Sequence, residues 1–276
     1  MNRFAVGAIF ALLALILSRP AWAVDGVILI DQNKALAGNV TPGDAPGFPV
    51  TITRSGSYRL SSDLVVADAD TTAIDITGAA GSVTVDLNGF SILGPVTCTG
   101  SSPANPPTTC SPVPSSPNIF GPGTGVRSQA DRSLTIRNGT ISGMGRHGIF
   151  IFGAPMARVE GVTVMGNGHT GIHGGLATVV DNIVEGNLLS GIVFNQGLVR
   201  GNNVSRNGGN GIAGTGVGGL ISGNNIYRNG GHALKSISGS PYSFNNLNNN
   251  FGGFIDPPGA GVSLGGNGCN GGLCPP

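Results

Sequence analysis

Asn182-Ile183-Val184-Glu185-Gly186-Asn187, closed by Gly191-Ile192, is followed by Asn202-Asn203-Val204-Ser205-Arg206-Asn207, closed by Gly211-Ile212. Both stretches share one frame: Asn, an aliphatic two places on, a second Asn three later, then Gly-Ile. Working outward, the Gly-aliphatic mark recurs at Gly125-Val126, Gly148-Ile149 and Gly171-Ile172, with Ala233-Leu234 as a variant. The aliphatic-to-Asn mark recurs at Val164/Asn167, Val184/Asn187, Val204/Asn207, Ile226/Asn229 and Leu247/Asn250. The leading Asn stands at Asn182, Asn202, Asn224 and Asn245, and Val162 takes its place in the earliest unit. Successive units are 20 to 23 residues apart.

A period near 21 fits either leucine-rich repeats or a β-solenoid. Leu is too sparse for the first. Short Val- and Ile-rich pieces separated by Gly and Asn are strand chemistry. Three short strands and three turns fit one unit. Coils stacked at about 4.8 Å then bring equivalent residues above one another. Each coil buries only its inward aliphatics, so stability resides in the stack. In such a stack the repeated Asn amides hydrogen-bond from coil to coil, and Asn tolerates left-handed turn geometry.

The composition agrees. Gly accounts for 49 of 276 residues, while charged residues are 10% and aromatics 5%. Gly this frequent excludes a long helical bundle, since each Gly costs about 1 kcal/mol in a helix interior. The absence of a Gly-X-Y period excludes collagen. A net charge of +1 gives no electrostatic footprint for nucleic acid.

The units resemble those of right-handed parallel β-helix proteins of the pectate-lyase-like superfamily, especially exported bacterial β-helix repeat proteins. Val85-Asp86-Leu87-Asn88-Gly89-Phe90-Ser91-Ile92 and its echo Ile136-Arg137-Asn138-Gly139-Thr140-Ile141 carry the same likeness. It covers roughly 50–255. The expected fold is an all-β, single-stranded right-handed parallel β-helix of about seven coils with capped ends. The superfamily holds lyases, hydrolases, epimerases and non-enzymes, so the likeness speaks for fold and not for activity.

Residues 1–23 read as a secretory leader: Arg3, the apolar run Phe4 to Leu17, and the small-x-small site Ala21-Trp22-Ala23. The chain is therefore expected in the periplasm or outside the cell, with no membrane span after cleavage. In that setting four Cys in two local pairs, Cys98 with Cys110 and Cys269 with Cys274, read as two disulfides. A metal set is disfavoured, because the spacings are not CxxC and no His is near. Residues 24–66 are expected to form N-terminal cap strands and 67–255 the β-helix. The Pro-rich segment 95–122 reads as an insertion and 256–276 as a disulfide-held tail. Folded over the sheet the insertion is a specificity loop; pointing away it is a decoration.

The residue after each inward aliphatic faces outward. That column reads Asp75, Arg127, Phe150, His173, Val193, Ala213 and Lys235. The resemblance makes this sheet the substrate groove. Phe150 is then a stacking platform for a sugar and Arg127 a carboxylate clamp. Asp75 or His173 would transfer protons. Arg206 and Arg228 occupy equivalent turn positions with Glu185 nearby: a surface ion pair, or a site for an anionic glycan with Lys235. His147, His169 and His232 precede the Gly mark, and His147 with His169 are weak candidates for a metal. Glycoside hydrolysis needs two carboxylates about 5 to 9.5 Å apart, yet Asp131, Glu160, Asp181 and Glu185 occupy four different coil positions.

Three expectations follow. The first is a non-catalytic protein that binds carbohydrate or a cell-surface partner along the sheet, without a cofactor. The second is a lyase or hydrolase acting on an acidic polysaccharide through Asp75, Arg127 and His173. The third, weakest, is a periplasmic copper-handling protein of the NosD type.

Overall fold

The computed structural model describes residues 26–78, 81–100, 102, 105–116, 118, 120–129, 133–216, 218–257 and 260–274. The proposed leader 1–23 and Asp131 lie outside them.

Three parallel sheets form the walls of one solenoid. The first runs through strands Val50–Ile52, Ile74–Ile76, Val126–Ser128 and Ile149–Ile151. It continues through the starts of Ile172–Val180 and Ile192–Arg200, then Ile212–Gly214, His232–Lys235 and Gly253–Asp256. The third sheet stacks Leu64, Ile92, Ile141, Val164, Val184, Val204, Ile226, Leu247 and Cys269 in one inward column. The second sheet joins them, and its inward column runs from Ile28 through Tyr58, Val85, Ile136, Val159, Val179, Val199 and Ile221 to Tyr242.

This makes about nine coils among the described residues, where the sequence suggested seven. The two extra coils lie at the ends. Residues 50–65 and 253–269 each contribute a strand to all three sheets, although neither carries the full Gly-and-Asn frame. Ahead of the first coil stands a short helix, Gln32–Ala37, N-capped by the Asp31 carboxylate, which accepts from the Lys34 N–H at 2.8 Å. At the far end, Gly268–Cys269 pairs antiparallel with Gly272–Leu273, closed by the Cys269–Cys274 disulfide.

Two Asn ladders fix the corners on either side of the third sheet. One runs Asn167, Asn187, Asn207, Asn229, Asn250; the other runs Asn182, Asn202, Asn224, Asn245, Asn267. In each ladder every Nδ2 but the last donates to the Oδ1 of the Asn one coil on at 2.8–3.1 Å. The same Oδ1 also accepts the backbone N–H of the donating Asn at 3.0–3.1 Å. Buried amides with both functions satisfied avoid the roughly 1–3 kcal/mol cost of an orphaned polar group.

The Gly of the repeat is required by packing. A Cβ on Gly171, Gly191 or Gly211 would lie 2.3–2.5 Å from the Val184, Val204 or Ile226 side chain of the coil beyond. It would also press on the Nδ2 of the Asn ladder. Inside the coils the same economy recurs at Phe194, fully buried, whose ladder neighbours on either side are Gly174 and Gly214.

Candidate functional site

The outward column of the first sheet is aligned as the spacing suggested. Asp75, Arg127, Phe150, His173, Val193, Ala213 and Lys235 are consecutive ladder partners, with Thr51 before them and Asp256 after. Neighbours on such a column are about 5 Å apart. What those side chains do with one another differs from the expectation.

Arg127 and Asp75 bind each other. The guanidinium Nε lies 3.0 Å and Nη2 2.6 Å from the two Asp75 carboxylate oxygens, a two-point fork. Asp75 is only 6% exposed. The hydrogen bonds it donates to Asp75 raise the already high Arg127 pKa. The two side chains are thus engaged with each other across neighbouring coils. At the other end of the strip, Lys235 bonds the Asp256 carboxylate, which lies below its ordinary pKa for that reason first. Arg206 likewise bonds Glu185 in the turn, with Nε at 3.0 Å. Arg228 sits exposed at the equivalent turn position one coil on.

Between the two ion pairs lies an aromatic and imidazole cluster. Phe150 faces outward yet is 2% exposed, because other rings cover it. Phe152, two residues on, lies parallel to it at 6.5 Å. Phe120, carried by the insertion, packs at 5.6 Å. His173 stands edge-on to Phe150 at 5.1 Å, and His147 lies 5.1 Å from the same ring. His147 also contacts His169 at 4.6 Å and His173 at 5.5 Å. Burial, then the nearby His173 and Arg146, push the His169 pKa down to about 4. Burial lowers that of His173. Both imidazoles are therefore neutral at pH 7.

Phe120, Phe150, Phe152 and Gln129 line a cavity of about 230 Å³ that opens onto the strip. Phe120 and Phe152 remain half or more exposed, at 50% and 64%. Large exposed rings beside a pocket are the usual furniture of a binding surface. The sequence singled out Phe150 alone. Phe152 was legible in the strand alternation, since residues two apart share a face. Phe120 was not, because the insertion has no repeat to place it.

The insertion does two things. Its first limb is a hairpin, Thr97–Gly100 against Pro107–Ser111, bridged by Cys98–Cys110. Its base packs with Ala69, Val96 and Leu188, so the hairpin lies over the turns that lead into the first sheet. Gly208 leaves it room: a Cβ there would meet the Pro107 carbonyl oxygen at 2.5 Å. Its second limb returns to the strip. Arg146, 4% exposed, donates to the carbonyls of Pro122, at 2.7 Å, and Ser116. Asp70 accepts from the Ser115 N–H at 2.9 Å. These anchors deliver Phe120 onto Phe150.

Among the described residues no group of three or more His, Cys, Asp or Glu is arranged to hold a metal ion, and no helix is long and apolar enough to cross a membrane. His147 and His169 do meet, as the spacing suggested, but as packed rings.

The right-handed β-helix family matches residues 124–270, more than half of the sequence. The chain belongs to this family. Solved structures share the β-helix fold. A double mutant of the periplasmic alginate epimerase AlgG aligns with TM-score 0.51 at 13% identity, over 72% of this chain and 51% of that one. The Dettilon tailspike protein aligns with TM-score 0.42 at 14% identity, over 81% of this chain and 50% of that one. This β-helix thus spans about half the length of the structures it resembles. No curated protein matches it significantly.

Proposed function

We propose that this β-helix is a periplasmic or secreted polysaccharide-binding protein that holds a glycan chain across its first sheet without cleaving it. The cavity lined by Phe120, Phe150, Phe152 and Gln129 carries the reading. Sugar rings present an apolar face to aromatics, and an amide such as Gln129 answers their hydroxyls. The acids of the strip, Asp75 and Asp256, are both held in ion pairs, which disfavours a carboxylate-driven reaction. Export is supported by the leader sequence and the two disulfides. A fold shared with a periplasmic epimerase of alginate fits a polysaccharide partner.

The alternative, an enzyme acting on an acidic glycan, draws on one observation. His173 is a neutral imidazole on the strip beside Phe150, suited to accept a proton. One experiment separates the readings. The purified protein is titrated with a panel of neutral and acidic oligosaccharides, and each mixture is assayed for reducing and unsaturated ends. Saturable binding without product supports the binding protein. Product release abolished by His173→Ala replaces it with the enzyme, and flat isotherms across the panel overturn both.

A further inference from the structure

The turns leading into the first sheet stack Gly166, Gly186, Arg206, Arg228 and Asn249 in one column, linked by backbone hydrogen bonds from coil to coil. Arg206 and Arg228 both hold left-handed backbone there, φ 50° and 54°. Their electrostatic surroundings differ. Arg206 is neutralised by Glu185 on the preceding coil. The ladder partner of Glu185 one coil on, and so the residue in the corresponding place for Arg228, is Ser205. The acid that quiets one arginine is replaced by a buried hydroxyl beneath the other.

The charge left over opens onto a hollow. Arg228, Asn249, Asn250 and Phe251, with Asn105 from the hairpin, enclose about 530 Å³. Phe251 is 67% exposed there. The Asn250 side chain is engaged in the Asn ladder, donating to the Ile226 and Asn248 carbonyls. The exposed Asn249 side chain and the Phe251 ring are thus the groups beside the guanidinium. None of the described lining residues is acidic. A guanidinium fork takes a carboxylate through two parallel hydrogen bonds. An adjacent ring takes the apolar face of a sugar, and an amide takes its hydroxyls.

We infer that the hollow beside Asn105 is a subsite for a carboxylate-bearing sugar, a uronic acid residue, held by Arg228 with Phe251 and Asn249. This rests on the polysaccharide reading and gives it a substrate class: an acidic glycan. Arg228 leads into the coil four beyond that of Phe150, a rise of roughly 19 Å at about 4.8 Å per coil. A glycan of several residues is needed to engage both places.

The test uses Arg228→Asn, because Asn249 already occupies the equivalent left-handed position one coil on. A uronate disaccharide, too short to reach the aromatic cavity, a uronate hexasaccharide and a neutral hexasaccharide are titrated, with sodium sulfate as a control for any small anion. Wild type is expected to bind the uronate hexamer at least tenfold more tightly than the neutral one. Arg228→Asn should erase that preference, leave the neutral hexamer unchanged and abolish binding of the disaccharide. Equal affinities for both hexamers, a preference that survives in Arg228→Asn, or displacement by sulfate as effective as by uronate overturns the subsite. A Phe120→Ala, Phe152→Ala variant separates the two readings. If it leaves hexamer binding intact while Arg228→Asn acts as described, the aromatic cavity reading falls and the subsite stands. If only the aromatic variant weakens binding, the reverse holds.

Discussion

Phe120 of the insertion lies 5.6 Å, ring to ring, from Phe150 of the first sheet, and so converts a flat strip into a walled cavity. The contact is worth about 0.5–1.5 kcal/mol beyond the area it buries. Phe120→Ala and Phe152→Ala are therefore expected to cost little stability, since both rings are half or more exposed. Each should weaken glycan affinity on the order of tenfold, about 1.4 kcal/mol. Calorimetric titration beside a thermal melt checks both halves; a fall in melting temperature with unchanged affinity would mean the rings serve packing only.

Arg146 is the clasp of the same wall. Its guanidinium holds the carbonyls of Ser116 and Pro122, so Arg146→Ala should free the return limb. Glycan affinity is expected to drop to the level of Phe120→Ala, and proteolysis to begin within 112–122, while the coils keep their far-ultraviolet dichroism. Limited proteolysis with mass mapping reads the outcome. Unchanged cleavage would show that the limb is secured elsewhere.

Arg127→Ala should act on stability before it acts on binding. Asp75 would be left 6% exposed without its fork partner. Removing one member of a buried pair costs roughly 3–5 kcal/mol, and the low end applies to this partly exposed arginine. Asp75→Ala combined with Arg127→Ala should recover part of the loss, because no orphaned charge remains. Urea denaturation of the single and double variants measures the coupling. Strict additivity would contradict the pairing.

The histidine cluster sets an acid limit. His169 titrates near 4 in the folded protein, against about 6.5 when unfolded. Between those values the unfolded chain binds the extra proton, so stability falls as pH is lowered from 6.5 towards 4 and is undisturbed above. The slope from this group is at most about 1.4 kcal/mol per pH unit. His169→Gln should flatten it, which urea midpoints measured at pH 7, 6, 5 and 4.5 would register.

Asn207→Ala removes one rung from the middle of a ladder. In a fully buried setting the Asn187 N–H would lose its acceptor, and its Nδ2 would keep only the Val164 carbonyl. At roughly 1–3 kcal/mol for each stranded group, a loss of about 3 kcal/mol or more is expected. Gly191→Ala, which places a Cβ 2.4 Å from Val204 Cγ1, should cost about 1–3 kcal/mol by overpacking. Denaturant midpoints test both. Losses below about 0.5 kcal/mol would show that the coils relax around these positions.

The repeat made the fold legible because stacking demands the same residue at the same place in each coil. Gly171, Gly191 and Gly211 cannot bear a Cβ, and the ladder asparagines cannot lose an amide, so both leave a visible period. The end coils were hidden for the same reason. Residues 50–65 and 253–269 have a coil on one side only, and their frame is correspondingly incomplete. The strip was read in correct order from Asp75 to Lys235, but as separate tools. That Arg127 and Asp75 bind each other follows from their being ladder neighbours of opposite charge. Phe120 stayed out of reach because an insertion anchored by one buried arginine and a few backbone hydrogen bonds carries no periodic signature.

The two ladders also decide where this molecule can change. From leading Asn to Gly mark the count is constant: Asn182 to Gly191, Asn202 to Gly211, and Asn224 to the variant Ala233. From the mark to the next leading Asn it varies, with two more residues after Gly211 than after Gly191. Those extra residues fall between Gly214 and Gly219, at the corner joining the first and second sheets, and the amide spacing does not alter. Ahead of the ladders the 95–122 insertion enters between the third and first sheets, but where both ladders run two corners of the triangle keep their length and the third is open. Descent with gain and loss of residues, and grafting in the laboratory, should both find their tolerance there, along the edge opposite the third sheet.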